Sequence, residues 1–161
     1  GVGAFSDARR KLADMGLDDL IREEAANGKE IMGICLGMQM LFERSYEYGV
    51  HEGLGLLSGE VVPMKGYIPE GLKIPHIGWN ALDITREHKL LRYVKQGDCV
   101  YFVHSYYADH CQNAVIATAE YGKDLTAMVA HRNVYGCQFH PEKSGEVGLK
   151  MLKNFADIVK G

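Results

Sequence analysis

The sequence predicts an α/β fold: a mostly parallel sheet core carrying an antiparallel extension. Three observations carry that reading. The N-terminal part reads helix, helix, strand, turn, helix, the order of an open α/β sheet. From about residue 55 onward strand-like runs follow one another with no long helix between them. The chain then closes on an amphipathic helix.

Each element follows from local signals. Ser6 or Asp7 caps a first helix running to about Met15, and Gly16 ends it. A second helix covers residues 17–26 and stops at Asn27-Gly28. Residues 30–34, "EIMGI", read as a buried strand, and residues 36–44 as the helix after it. Residues 59–64, 79–84, 99–104, 114–119, 126–131 and 134–139 read as strands punctuated by Gly, Asp and Asn. In the closing helix, residues 145–159, Met151, Phe155 and Val159 recur every four residues, joined by Leu152 and Ile158. That stripe is core packing.

The 161 residues suit a single domain with a real core, and 47% hydrophobic with 24% charged content is ordinary for a globular protein. A net charge of −3 gives no reason to expect nucleic acid or an anionic membrane as partner. No apolar run approaches the roughly 18 residues of a membrane span. No signal peptide is visible, and the chain begins Gly1-Val2-Gly3 rather than with Met, as a processed chain or a fragment would. None of the four cysteines, Cys35, Cys99, Cys111 and Cys137, forms a Cys-x-x-Cys pair, which speaks against a zinc or thioredoxin-like site. Free thiols point to a reducing compartment, the cytoplasm.

One cysteine sits where chemistry is done. Gly33-x-Cys35-x-Gly37 has the spacing of a nucleophile elbow, in which a strand turns sharply into a helix and holds its central side chain out. The helix N-terminus would favour thiolate, and the Leu36 amide would point where an oxyanion develops. A buried cysteine in a glycine turn reads equally well from these residues alone. A nucleophile needs a base, and the base an orienting group. His140-Pro141-Glu142 follows the last strand: His140 can shuttle a proton while Glu142 holds its tautomer.

"GICLGMQ" followed by "QFHPEKS" resembles the class I, or triad, glutamine amidotransferases. "GVGAF", "IPHIGWN" and "YFVHSY" are similar to the glutaminase subunit of imidazole glycerol phosphate synthase, of histidine biosynthesis, and the resemblance covers essentially the whole chain. It implies a flavodoxin-like three-layer fold forming one amidotransferase domain over residues 1–161. The family normally begins with a strand–helix–strand unit ahead of the Gly-Val-Gly segment, so the chain is expected to be N-terminally truncated.

The resemblance implies roles for particular residues. Cys35 attacks the glutamine side-chain amide, His140 relays the proton and Glu142 orients it. Val2 or Gly3 joins Leu36 in the oxyanion hole. Gln39, Glu47, His104, Ser105 and Tyr106 meet the substrate. Pro75, His76, Trp79, Asn80, Tyr101 and Lys143 meet the partner, a (β/α)₈-barrel cyclase that receives the ammonia. No metal or organic cofactor is implied, and Cys99, Cys111 and Cys137 are non-catalytic. Three alternatives stay open: an amidotransferase subunit serving another acceptor, including surface-sugar amination; a Cys–His peptidase or γ-glutamyl hydrolase; and a non-enzymatic interaction module.

Overall fold

The computed structural model describes residues 4–161. Two helices open it, α1 (Ala4–Asp14) and α2 (Leu17–Ala26), hinged at the left-handed Gly16. Strand β1 (Ile31–Ile34) leads into the short helix α3 (Leu36–Met40). This helix stops well before the predicted residue 44 because its C-terminal carbonyls are captured by a loop. Leu54 donates to Met40 O, Leu56 and Leu57 to Leu41 O, and Gly55 to Phe42 O. A Cβ at Gly53 would lie 2.0 Å from Phe42 O, so only glycine permits the approach.

The strands that follow are β2 (Arg44–Ser45), β3 (His51–Glu52), β4 (Glu60–Pro63), β5 (His76–Ala81), β6 (Asp83–Ile84), β7 (Cys99–His104), β8 (Tyr106–Asp109), β9 (Val115–Glu120), β10 (Asp124–His131) and β11 (Val134–Cys137). Helix α4 (Gly145–Lys160) closes the chain. The predicted strand 79–84 is two strands in different sheets, broken where buried Leu82 donates to Asp98 O.

These strands form three sheets, two mixed, ordered β1-β11-β10-β9-β6 and β3-β2-β4-β8, and an antiparallel pair β5-β7. The expected mostly parallel core is reduced, among the described residues, to the pairs β1–β11 and β2–β4. The reason is connection length: β9, β10 and β11 are joined by tight turns, and a short turn can only return antiparallel. Side chains alternate across the five-stranded sheet. Met128, Tyr135 and Cys137 face one apolar cluster, which also holds Met151 and Phe155 of α4. Val129 and Val134 face another, with Ala25 of α2 and Met38 of α3. Helices therefore cover both faces. Val159, expected in the α4 stripe, is exposed. No described helix is long and apolar enough to cross a membrane.

Candidate active site

Cys35 adopts φ 55° and ψ −112°, a strained conformation for a side chain with a Cβ. Its N–H donates to Cys137 O at 2.8 Å, and its own carbonyl accepts the Gln39 N–H at 3.2 Å, which closes the turn onto α3. Of the two flanking glycines, only Gly33 is sterically required. A Cβ there would sit 2.6 Å from the Gly37 carbonyl carbon, whereas one on Gly37 would meet open space. The elbow expected from Gly-x-Cys-x-Gly is therefore present, with one glycine responsible for the close approach.

The parallel register Ile34↔Cys137 places Cys35 and the segment after Cys137 at the same end of neighbouring strands. That segment carries the base. His140 N–H donates to Tyr101 O at 3.0 Å, and its carbonyl accepts the Ser144 hydroxyl at 2.6 Å. A 3₁₀ turn (Pro141–Lys143) then brings Glu142 Oε1 to 2.6 Å from His140 Nδ1. A carboxylate accepts, so Nδ1 carries the proton and Nε2 is left to exchange one.

Burial raises the Cys35 thiol above its ordinary pKa; the Leu36 N–H opposes this, the Glu142 charge adds to it, and the Gln138 amide and Lys143 oppose it. The expected thiolate-favouring effect of the helix is thus outweighed. Helix α3 has only 5 residues, and its dipole is too short to overcome desolvation. Two other thiols are further from ionising: burial pushes Cys111 up to about 11 and Cys137 well above 9.0. Both of these side chains are buried.

A cleft of about 650 Å³ opens beside Cys35 and Leu36, a volume suited to a small polar metabolite. Gln39, Glu47, His104, Ser105 and Tyr106, the substrate residues expected from sequence, all line it. The side chains of three of them are already engaged. The Glu47 carboxylate accepts the Ala4 and Phe5 amides at the start of α1, and burial raises its pKa. Gln39 Nε2 donates to Tyr106 O at 3.2 Å and to Gln138 Oε1 at 3.0 Å. His104 is buried as well, with Nδ1 on Tyr106 O at 2.9 Å. Val2 and Gly3 lie outside the described residues.

The expected interface residues divide. Trp79 is 58% exposed and meets Tyr101 edge-on at 6.0 Å; Lys143 is also exposed. Pro75 is exposed but lines the cleft. His76 leaves the set: it is 4% exposed, stacked against Tyr121 and Phe102, and presents no surface to a partner. Asn80 is half-buried, and its Nδ2 is bonded to Glu120 O at 2.8 Å. Sequence reasoning missed Lys65 and Tyr48 in the cleft wall, which no motif flags, and Gln138, whose Nε2 lies 3.7 Å from the Cys35 sulfur. Among the described residues no cluster of three or more His, Cys, Asp or Glu could hold a metal.

The family model for class I glutamine amidotransferases matches residues 5–159. The imidazole glycerol phosphate synthase subunit HisH of Caldanaerobacter subterraneus is 50% identical over 161 residues, covering 99% of this chain and 77% of that protein. The HisH subunit of Aquifex aeolicus is 48% identical over 156 residues, covering 96% of this chain and 73% of that one. A crystal structure of a glutamine amidotransferase superposes with a TM-score of 0.68 at 19% identity, over 93% of this chain and 71% of that one, which bears on the fold alone. With the elbow, the base pair and the cleft in place, the chain belongs to the class I glutamine amidotransferases, among the HisH-type subunits of imidazole glycerol phosphate synthase.

Proposed function

We propose that this chain hydrolyses L-glutamine to L-glutamate and ammonia and delivers the ammonia to a (β/α)₈-barrel cyclase subunit. The observation that carries the reading is Cys35 held at φ 55° beside the strand end from which the His140–Glu142 pair projects. His140 Nε2 takes the thiol proton as sulfur attacks the γ-amide carbon, and the Leu36 N–H stabilises the oxyanion. The imidazolium then protonates the leaving nitrogen, and ammonia departs from a γ-glutamyl thioester. Water, deprotonated by the same nitrogen, cleaves the thioester to glutamate and restores the thiol. Glu142 keeps the Nδ1–H tautomer throughout.

The cleft favours an amino-acid substrate: Glu47 and Lys65 bring one acid and one base to its wall, matching an α-ammonium and an α-carboxylate. Exposed Trp79 and Ile77 supply the apolar anchor an obligate partner would cover. In the cyclase the ammonia would convert a phosphoribulosyl-formimino aminoimidazole carboxamide ribonucleotide to imidazole glycerol phosphate and aminoimidazole carboxamide ribonucleotide. About half identity to HisH subunits over nearly the whole chain favours this acceptor over other amidotransferase products. Four free thiols fit a reducing compartment.

The test is glutamate release with and without the cyclase and its nucleotide. Wild type is expected to be stimulated by both. Cys35→Ser is expected to lose activity by ~10³-fold or more. Robust hydrolysis of γ-glutamyl peptides by the isolated chain would instead favour a hydrolase.

A further inference from the structure

Tyr106 O is a carbonyl and only accepts, and two donors converge on it: His104 Nδ1 at 2.9 Å and Gln39 Nε2 at 3.2 Å. His104 therefore carries its proton on Nδ1. Burial lowers its pKa to about 4, so the ring is neutral and Nε2 accepts. His76 Nδ1, 3.0 Å away, must donate to it. That leaves His76 Nε2 to accept Asn80 Nδ2–H at 3.3 Å. Stacking against Phe102 at 4.9 Å and Tyr121 at 4.1 Å holds the His76 ring in place.

On the other side of Tyr106, Gln39 uses its second amide hydrogen on Gln138 Oε1 at 3.0 Å. With its oxygen so assigned, Gln138 presents only its NH₂ to Cys35, at 3.7 Å from the sulfur. The members are removed from water: Gln138 is 0% exposed, His76 4%, Gln39 5% and His104 6%. A buried donor or acceptor left alone is costly, so Gln39 keeps one amide hydrogen on Tyr106 O and the other on Gln138 Oε1, which fixes the Gln138 amide.

We propose that Gln138 is a further catalytic residue, steadying the Cys35 sulfur through its side-chain N–H. We assign Gln39 as the positioning residue that fixes its direction, anchored on the Tyr106 carbonyl that His104 also bonds. The proposal rests on the glutaminase reading, in which that sulfur becomes charged and its hydrogen bonds strengthen. Losing the Gln138 donor would leave the Leu36 N–H to face the thiolate.

The experiment follows alkylation of Cys35 by iodoacetamide against pH, read on the Cys35 peptide because Cys99 is also exposed. It uses the full chain with its cyclase, and glutamine hydrolysis is measured in parallel. Gln138→Leu is expected to raise the alkylation midpoint by about 1 pH unit and to lower kcat about tenfold with little change in KM. His140, Glu142, Lys143 and Cys137, the other titratable groups around this thiol, are unaltered. Gln39→Leu, which leaves the Gln138 amide free to turn, should shift the alkylation midpoint the same way by less.

The double variant Gln39→Leu/Gln138→Leu should match the alkylation midpoint of Gln138→Leu alone, because Gln39 acts on the thiol only through Gln138. Unfolding midpoints are recorded alongside. Should Gln138→Leu not fold, Gln138→Met removes the same donor from a side chain of similar length. An unmoved midpoint in the Gln138 variant, or effects that multiply in the double variant, would overturn the proposal. A wild type that alkylates normally but hydrolyses no glutamine would count against the glutaminase reading, while the alkylation midpoints would still judge the Gln138 donor.

Discussion

The nucleophile and its base stand at the same end of adjacent strands, yet they are held by different parts of the molecule. Cys35 is fixed by its own strand–helix junction and by the Cys137 carbonyl, within the five-stranded sheet. His140 hangs on β7. The Tyr101 carbonyl takes its N–H, and the Tyr101 N–H bonds Ser144, whose hydroxyl holds the His140 carbonyl. β7 pairs in turn with β5, the strand of exposed Trp79. A partner pressing on β5 therefore reaches the base through the β5–β7 pairing and the Tyr101 carbonyl, and the thiol one step further on, through the Cys137 carbonyl. The difference suggests how such an enzyme can keep its nucleophile constant while a partner tunes its proton relay.

The largest effects separate the two supports. Gly33→Ala places a Cβ 2.6 Å from the Gly37 backbone, where no side chain can yield. It should cost about 3 kcal/mol of stability, read as a urea midpoint, and shift the pH midpoint of Cys35 alkylation with it. Gly148→Ala places a Cβ 1.8 Å from Pro141 O, so the strain falls on the turn that carries Glu142. It should lower glutamine hydrolysis strongly while leaving Cys35 alkylation near wild type. If both variants shift alkylation alike, the two supports are one unit and the distinction fails.

Trp79→Ala sharpens the same contrast from outside. At 58% exposed, the ring contributes little to the isolated chain, so thermal stability should barely move. Its loss should weaken cyclase binding about 30-fold, the scale of a central aromatic anchor, as measured by titration calorimetry. At saturating cyclase, a reduced stimulation of glutamate release would place the ring on the route to His140. Full stimulation would make it an anchor alone.

What the sequence revealed follows the range of each interaction. Cys35, His140 and Glu142 were legible because an elbow and a His-x-Glu pair are local patterns with a chemical reason. The cleft residues were legible only through resemblance. Gln138 stood in the quoted "QFHPEKS" and passed unnoticed, since its partners Gln39 and Cys35 are 99 and 103 residues away. His76 read as an interface residue only through the resemblance, which does not show that β5 alternates: Ile77 and Trp79 face outward, while His76 faces in. The end of α3 was misjudged for a similar reason, because its carbonyls are claimed by a loop that helix propensity does not see. The strand β8 was hidden in "YFVHSYYAD", which offers no turn residue other than Ser105.

The smallest effect distinguishes two histidine environments by pH. His140 is partly exposed beside a carboxylate, whereas His104 is buried between His76 and Tyr106 O with its pKa lowered from 6.5 to about 4. Below pH 6.5 the unfolded chain binds a proton at His104 that the folded chain refuses. Its stabilising effect is thus present above pH 6.5 and lost progressively as pH falls toward about 4. Between pH 7 and 5.5 this amounts to about 1 kcal/mol for His104. His76, also lowered by burial, acts in the same direction. Urea unfolding of wild type and His104→Asn at the two pH values isolates the effect: the acid loss should be smaller in the variant by about that amount. Equal losses would mean that His104 is free to charge in the folded chain, and its Nε2 would then not accept from His76.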